Sequence, residues 1–135
     1  MREQLTEQER DLLDLARGSG TKAYAPYSGF RVGAAVVTDV GTFSGCNVEN
    51  ASYGLCMCAE RTAIFQAVAK GASRISLVAV SCLDAAPESA VSGKMPCGAC
   101  RQVISEFADG SVPVVVDGAG VWNVEDLLPL AFVLK

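Results

Sequence analysis

The sequence predicts an α/β fold in which a mixed or parallel sheet carries helices on both faces. Segments of strand and helix character alternate along most of the chain, an order typical of sheets built with helical crossovers. The chain has 135 residues, enough for the single domain, residues 1–135, that we expect. Half of its residues are hydrophobic and only 19% are charged, so it can bury a core and is not disordered.

The first part of the chain predicts one helix and then a hairpin. Thr6 and Glu9 form a capping-box pattern in front of an amphipathic stripe, and glycines end the pattern near Arg17. The elements expected next are a strand at 30–37, a turn at 39–41 and a second strand at 42–47. Gly33, within the first of these strands, indicates that another part of the chain approaches its backbone closely.

The second part alternates helix and strand. From Cys58 onward, apolar residues recur on one helical face until Gly71, a typical C-terminal stop. The remaining expected elements are a buried strand at 75–82, a surface loop at 83–95, a short helix after Pro96, a buried strand at 112–116 and a last helix at 124–128. Trp122 and Asn123 receive no assignment.

The composition excludes several classes of function. There is no histidine, so Ser-His-Asp and Cys-His catalysis are ruled out, and acid/base chemistry depends on carboxylates, other side chains or a metal-bound water. A net charge of −4 argues against a nucleic-acid partner. Residues 1–17 are too charged for a signal peptide, and no apolar run approaches the ~20 residues of a membrane helix. We therefore expect a cytoplasmic protein without membrane contact, whose thiols are kept reduced.

The six cysteines favour a metal site or catalysis in such a compartment, although each one alone also fits a small buried hydrophobe. Cys97 and Cys100 are three apart at a predicted helix start, so their sulfurs share one helix face. Cys58, at the start of another helix, can add a third sulfur. Three protein ligands leave the fourth position of a tetrahedral Zn²⁺ open, as in catalytic sites. Glu60 can then accept a proton from water at that position, because zinc lowers the pKa of the water.

Two arginines directly follow these motifs. Three thiolates would leave a divalent ion with net negative charge, which positive neighbours can offset. We expect Arg61 to donate hydrogen bonds to the thiolates, whereas Arg101 fits that role and a solvated surface charge equally well.

Other interpretations of the cysteines stay open. Cys56 precedes Cys58 by two residues, so the pair could belong to a closed, four-cysteine structural zinc site. A lone Cys-x-x-Cys also suits a thioredoxin-like redox pair. Cys46 and Cys82 lie at predicted strand ends and are expected to be buried thiols.

Three segments carry a resemblance to a known family. Cys46–Tyr53, Cys58–Ala63 and Pro96–Val103 resemble motifs of the small zinc-dependent cytidine deaminases, in their three-cysteine form. Shorter matches are Pro26–Ser28, Phe30, Val32–Ala35, Leu127–Pro129 and Phe132. This resemblance implies a three-layer α/β/α sandwich with a five-stranded mixed sheet.

The resemblance also implies an activity. Cytidine and 2′-deoxycytidine would be hydrolysed to uridine and 2′-deoxyuridine with release of ammonia, as a step of pyrimidine salvage. Cys58, Cys97 and Cys100 would hold one Zn²⁺ per subunit, and Glu60 would shuttle protons.

The same resemblance implies how a nucleoside is bound. Asn47 and Glu49 would hydrogen-bond a sugar hydroxyl, Phe30 would pack on the pyrimidine, and Ala59 would hold the base through its backbone. Asn47 and Glu49 are two apart, so on an extended strand end they face one side. A carboxylate there would repel a 5′-phosphate, which favours nucleosides over nucleotides.

The implied assembly is a homotetramer, in which Tyr53 and Phe132 would reach the site of a neighbouring subunit. The sequence departs from many relatives at Arg31, where we expect a surface charge near the rim of the site. Other functions fit the same residues: deamination of an aminonucleoside antibiotic such as blasticidin S, deamination of a polynucleotide, a non-catalytic zinc module, or a redox protein. The Asn47-x-Glu49 pattern favours an unmodified ribose over the antibiotic.

Overall fold

The computed structural model describes residues 1–134 and contains a five-stranded mixed sheet with helices on both faces. The helices are α1 (Glu7–Gly20), α2 (Ala59–Ala69), α3 (Gly98–Phe107) and α4 (Val124–Leu127). The strands are β1 (Val32–Thr38), β2 (Gly41–Cys46), β3 (Ile75–Cys82), β4 (Pro113–Val116) and β5 (Gly120–Asn123). Their order in the sheet is β2-β1-β3-β4-β5, which confirms the predicted α/β fold.

The strand directions explain why the sheet is mixed. β1 and β2 form an antiparallel hairpin around the predicted turn, and β1 also pairs antiparallel with β3. β3 and β4 are parallel, since the chain between them crosses over through α3. β5 returns antiparallel to β4 and completes the sheet.

Alternating side chains along β3 separate the two helical layers. Leu77 and Ala79 pack with the apolar stripe of α1 on one face. Val78 and Val80 pack on the other face, in the cluster that contains the apolar residues of α2, α3 and α4. The continuous apolar run of the third strand is thus buried from both sides, as expected for a central strand.

The N-terminal helix begins as predicted but ends later. The Thr6 hydroxyl accepts from the Glu9 amide at 3.1 Å, and the Glu9 carboxylate accepts from the Thr6 amide at 2.9 Å. The helix continues to Gly20, so the expected end near Arg17 is wrong. Gly20 is buried, and a Cβ there would lie 2.9 Å from Leu83 and 3.0 Å from the amide of Gly33. Packing against β1 therefore holds these glycines in the helix despite their low helix propensity.

Two glycines let helices rest directly on the sheet. A Cβ on Gly33 would lie 1.8 Å from the carbonyl oxygen of Ala16, which confirms the close approach predicted for this position. A Cβ on Gly45 would lie 2.3 Å from the hydroxyl of Thr62 and 2.5 Å from the amide of Ala63. The start of α2 is therefore pressed onto β2, and this contact places the residues at its N-terminus.

Several boundaries differ from the sequence prediction. The strand β5 has only four residues and was absent from the residue pattern, although it contains the unassigned Trp122. The loop 83–95 includes a short 3₁₀ turn at Val91–Lys94, in which Lys94 is buried rather than on the surface. Within residues 1–134, none of the helices combines the length and the apolar character needed to span a bilayer.

Candidate metal centre and active site

Three cysteine sulfurs meet where two helices begin. Cys58 is the N-cap of α2, Cys97 is the N-cap of α3, and Cys100 lies in the first turn of α3. The Sγ atoms of Cys58 and Cys97 are 3.8 Å apart, and those of Cys97 and Cys100 are 3.5 Å apart. All three sulfurs lie within 4.8 Å of one another. Thiolates in this position are stabilised by the positive ends of both helix dipoles.

The cluster fits a zinc ion. Two Zn–S bonds of about 2.3 Å at a tetrahedral angle place their sulfurs about 3.8 Å apart, close to the distances found here. Cys56 is not part of the cluster, because its sulfur accepts from the Asn50 amide at 3.3 Å and lies 3.6 Å from the Asn50 carbonyl oxygen. Among the described residues, the arrangement is therefore a cluster of three sulfurs, not a closed four-cysteine site and not an isolated redox pair.

Cys46 and Cys82, the remaining two cysteines, were expected to be buried thiols. In the structure both are only partly buried. Cys82 lies at the end of β3 and lines the same cavity as the metal cluster. Burial raises the pKa of its thiol to about 11.

Arg61 contacts one sulfur of the cluster. Its Nη2 donates to the sulfur of Cys58 at 3.3 Å. Hydrogen bonds from Cys100 and Arg61 lower the pKa of Cys58 to about 5, so this thiol is readily deprotonated. The buried Nε of Arg61 has no hydrogen-bond partner among the described residues. A guanidinium held here offsets part of the negative charge that three thiolates bring to a metal.

Arg101 has a structural role instead. Its Nε donates to the carbonyl oxygen of Pro96 at 2.8 Å, and its Nη1 donates to that of Leu127 at 2.8 Å. It therefore ties the segment before α3 to the end of α4. No hydrogen bond from Arg101 to a cysteine sulfur occurs within residues 1–134.

Glu60 is a buried carboxylate beside the cluster. It is the second residue of α2 and only 3% exposed. Burial raises the pKa of its carboxyl to about 7, with the neighbouring Cys58 thiolate acting in the same direction. Its position at the wall of the cavity gives it access to a small molecule bound there.

One cavity of about 570 Å³ joins the cluster to most of the predicted substrate residues. Its walls include Ser28, Phe30, Asn47, Glu49, Tyr53, Cys58, Ala59, Glu60, Arg61 and Cys97. Cys100 is fully buried behind this wall. A cavity of this size and mixed lining is large enough for a nucleoside-sized molecule.

Asn47 and Glu49, two polar residues that line this cavity, already form hydrogen bonds within the protein. The Asn47 side chain accepts from the Val32 amide at 2.8 Å and donates to the Phe30 carbonyl oxygen at 2.9 Å. The Glu49 carboxylate accepts from the amides of Tyr27 and Ser28 at 3.0 and 3.1 Å, and from the Ser28 hydroxyl. Hydrogen bonds from Ser28 lower the pKa of Glu49, so this side chain is ionised at neutral pH.

Arg31 has a specific partner that the sequence prediction missed. Its guanidinium donates to both oxygens of Asp84, at 3.0 and 2.9 Å, and its amide donates to the same carboxylate at 2.7 Å. The pair ties the segment that carries Phe30 to the loop after β3. No spacing in the sequence relates these two positions.

Phe132 does not line the cavity of its own chain. The residue is 69% exposed, and its carbonyl oxygen accepts from Gln102 Nε2 at 3.2 Å. Tyr53 lines the cavity but remains 91% exposed. Both aromatic rings are therefore free to contact another surface.

A cavity that joins a buried carboxylate to three thiols able to hold a metal ion is characteristic of metal-dependent hydrolytic enzymes. Residues 6–116 match the family described as "Cytidine and deoxycytidylate deaminase zinc-binding region". The chain is 50% identical over 116 residues to a cytidine deaminase of Sporosarcina psychrophila, covering 82% of this chain and 81% of the relative. It is 42% identical over 124 residues to a cytidine deaminase of Mycobacterium tuberculosis, covering 88% of each.

Solved structures agree with the sequence comparison. A crystal structure of cytidine deaminase from Burkholderia pseudomallei has 47% identity and a TM-score of 0.79, covering 95% of this chain and all 100% of that chain. The cytidine deaminase of Mycobacterium tuberculosis has 34% identity and a TM-score of 0.79, covering 96% and 100%. The chain belongs to the cytidine deaminase family, whose reaction is the zinc-dependent deamination of cytidine.

Proposed function

We propose that this protein hydrolyses cytidine and 2′-deoxycytidine to uridine and 2′-deoxyuridine, releasing ammonia, and that it serves pyrimidine salvage. One observation carries the proposal: the buried Glu60 carboxylate shares a cavity wall with Cys58 and Cys97 of the thiol cluster. A zinc ion bound by the three sulfurs would supply Lewis acidity that brings the pKa of a coordinated water to about 7.

Glu60 moves the protons in this proposal. Its carboxylate takes a proton from the attacking water and delivers it to N3 of the cytosine ring. It then takes a second proton from the hydroxyl that has been added to C4 and passes it to the exocyclic amino nitrogen. The C4–N bond breaks, ammonia leaves, and the oxygen remains on C4 as a carbonyl. A buried carboxylate at the cavity wall beside the thiol cluster is placed to reach the water and the base, as both halves of this task require.

The other cavity residues bind and orient the nucleoside. Phe30 packs on the pyrimidine, and the backbone of Ala59 holds the base next to Glu60. Asn47 keeps one amide hydrogen, and Glu49 keeps acceptor capacity, for a sugar hydroxyl. The ionised Glu49 disfavours a 5′-phosphate on the substrate.

The assembly we propose is a homotetramer in the cytoplasm. Exposed apolar side chains support a subunit interface: Tyr53 at 91%, Leu55 at 66%, Phe65 at 46% and Phe132 at 69% exposure. Tyr53 and Phe132 would complete sites of neighbouring subunits. The unpaired thiols support a reducing compartment. Sedimentation analysis would test the assembly, and a stable monomer with full activity would contradict it.

The proposal is tested by zinc content together with an ultraviolet assay of cytidine and deoxycytidine loss. We expect about one zinc per chain and turnover of both nucleosides. Glu60→Gln should keep the zinc and the fold but lose at least ~10²-fold in turnover, the lower range of general acid–base effects. Glu106→Gln, at an exposed position of α3, is the matched control. Turnover of Glu60→Gln within tenfold of the wild type would refute the role of Glu60.

A further inference from the structure

Both backbone polar groups of Phe30 are held by side chains. Its amide donates to the Ser28 hydroxyl at 3.0 Å, and its carbonyl oxygen accepts from Asn47 at 2.9 Å. Phe30 lies two residues before Val32, the first residue of β1, and belongs to neither ladder of that strand. The position of its ring at the cavity wall therefore depends on these two side chains.

Ser28 has a second contact, with the carboxylate of Glu49. Its hydroxyl donates to Glu49 Oε2 while accepting from the Phe30 amide. A hydroxyl has one proton, so donation to Glu49 turns its lone pairs toward Phe30. The Ser28 hydroxyl therefore links Glu49, which is 21 positions away in the sequence, to Phe30, which is two positions away.

Donors from Tyr27 and Ser28 nearly fill the acceptor sites of the Glu49 carboxylate. A carboxylate offers about four acceptor sites. Three donors occupy them here: the amides of Tyr27 and Ser28 and the Ser28 hydroxyl. Roughly one site is left for a ligand, and its direction is fixed by the other three.

We propose that Ser28 is a positioning residue that couples the sugar-contacting Glu49 carboxylate to the placement of the Phe30 ring. The inference rests on the proposed nucleoside function, and it assigns Ser28 no contact with the reacting atoms. Loss of its hydroxyl frees Glu49 Oε2 to rotate toward water and releases the Phe30 amide. Binding of the sugar and base weakens, whereas Glu60 and the thiol cluster are unaffected.

The kinetic test is Ser28→Ala with cytidine, 2′-deoxycytidine and 3′-deoxycytidine. We expect KM for cytidine to rise about 5- to 10-fold, the scale of one ordinary hydrogen bond, with kcat within about twofold of wild type. One of the two deoxynucleosides lacks the sugar hydroxyl that Glu49 contacts. For that substrate, relative to cytidine, kcat/KM of the wild-type protein should fall at least ~10-fold, and kcat/KM of Ser28→Ala less than ~3-fold. Ser28→Thr keeps the hydroxyl at an exposed position and should restore the wild-type values.

The chain contains a matched control at the other end of the sheet. The Ser73 hydroxyl donates to Asp39 at 2.6 Å, and the amides of Ser73 and Arg74 donate to the same carboxylate at 3.0 and 3.2 Å. Ser73→Ala removes the same type of bond away from the cavity, so it should leave both KM and the hydroxyl dependence unchanged.

Each outcome of these measurements either supports or refutes the coupling through Ser28. If wild-type protein turns over cytidine while Ser28→Ala keeps the wild-type KM and hydroxyl dependence, the coupling is refuted. The same holds if Ser28→Thr behaves like Ser28→Ala, or if Ser73→Ala raises KM as much. If zinc-loaded wild-type protein turns over none of the three nucleosides, the proposed function itself fails, which is a distinct result.

Discussion

Arg61 and Cys58 are joined by a hydrogen bond of 3.3 Å from a guanidinium nitrogen to a metal-cluster sulfur, across the first turn of α2. The same helix start carries Glu60, so one turn holds a sulfur ligand, its positive partner and the buried carboxylate. A positive charge beside the sulfurs makes the assembly of three thiolates around one divalent ion less unfavourable.

Removing this charge should weaken zinc binding. Arg61→Gln is expected to lower the zinc affinity about 10- to 100-fold, the usual effect of losing a hydrogen bond to a metal ligand. Competition with a chromophoric chelator measures it. Arg101→Gln is the comparison, because the hydrogen bonds of the Arg101 side chain within residues 1–134 go to the carbonyl oxygens of Pro96 and Leu127. That variant should lose thermal stability but keep wild-type zinc affinity. Equal affinity losses in both variants would contradict a specific role of Arg61.

At the thiol cluster, Cys97 with Cys100 and Cys58 with Glu60 were predictable as pairs because each spacing is local. Cys97 and Cys100 are separated by one helical turn, and Cys58 and Glu60 flank a helix start, so short patterns determine their geometry. The contact between Cys58 and Cys97 spans 39 residues and was expected only because both motifs open a helix and offer sulfurs for one metal ion. The hydroxyl of Ser28 on Glu49 was not predictable. That bond spans 21 residues and depends on how the loop before β1 folds back.

In the fold as well, features set by local patterns were predictable and features set by contacts between distant segments were not. The strand 75–82 was predicted at its exact bounds, since a continuous apolar run buried on both faces leaves a strong pattern. Strand β5 left no such pattern, because its four residues are placed by pairing with Pro113–Val116. The late end of α1 likewise depends on Gly20 packing against Gly33, a contact between distant segments.

The two cysteines of the Cys-x-Cys segment should differ sharply in zinc binding. Among the described residues, the Cys56 sulfur bonds to the backbone of Asn50. The Cys58 sulfur instead lies 3.8 Å from the sulfur of Cys97. We expect Cys56→Ser to keep about one zinc per chain and Cys58→Ser to lose most of it. Metal analysis after exhaustive dialysis distinguishes them. A loss of zinc in Cys56→Ser equal to that in Cys58→Ser would restore the four-cysteine interpretation.

The stability of the protein should depend on Asp117 in acid. Its carboxylate accepts from Arg17 at 2.8 and 2.7 Å and from Ser81 at 2.7 Å. The Arg17 hydrogen bonds lower the pKa of Asp117 in the folded state below its value of about 3.9 in the unfolded chain. Between these two pKa values the unfolded chain binds more protons than the folded one. The stabilisation by Asp117 is therefore complete above about pH 5 and disappears as the pH falls through the folded pKa.

Urea unfolding at pH 6 and pH 2.5 measures this contribution. Asp117→Asn should lower the free energy of unfolding by about 1–2 kcal/mol at pH 6 and by much less at pH 2.5. Asp11→Asn, at an exposed position of α1, should change little at either pH. A deficit of Asp117→Asn that is as large at pH 2.5 as at pH 6 would show that the carboxylate charge is not responsible.

Gly45 should control the position of the metal cluster from outside the cavity. A Cβ there would meet the hydroxyl of Thr62 at 2.3 Å and the amide of Ala63 at 2.5 Å, so α2 must move away from β2 in Gly45→Ala. Thr62 also donates to the carbonyl oxygen of Cys46 at 2.8 Å, and this bond would be strained or broken. We expect a loss of stability of about 1–3 kcal/mol, typical of overpacking, and weaker zinc binding because Cys58 moves with the helix.

Gly18→Ala is the control, since nothing lies within 4 Å of its Cβ position and alanine favours the helix. Thermal unfolding and zinc affinity are measured on both variants, and wild-type values in Gly45→Ala would mean that this contact does not place the cluster.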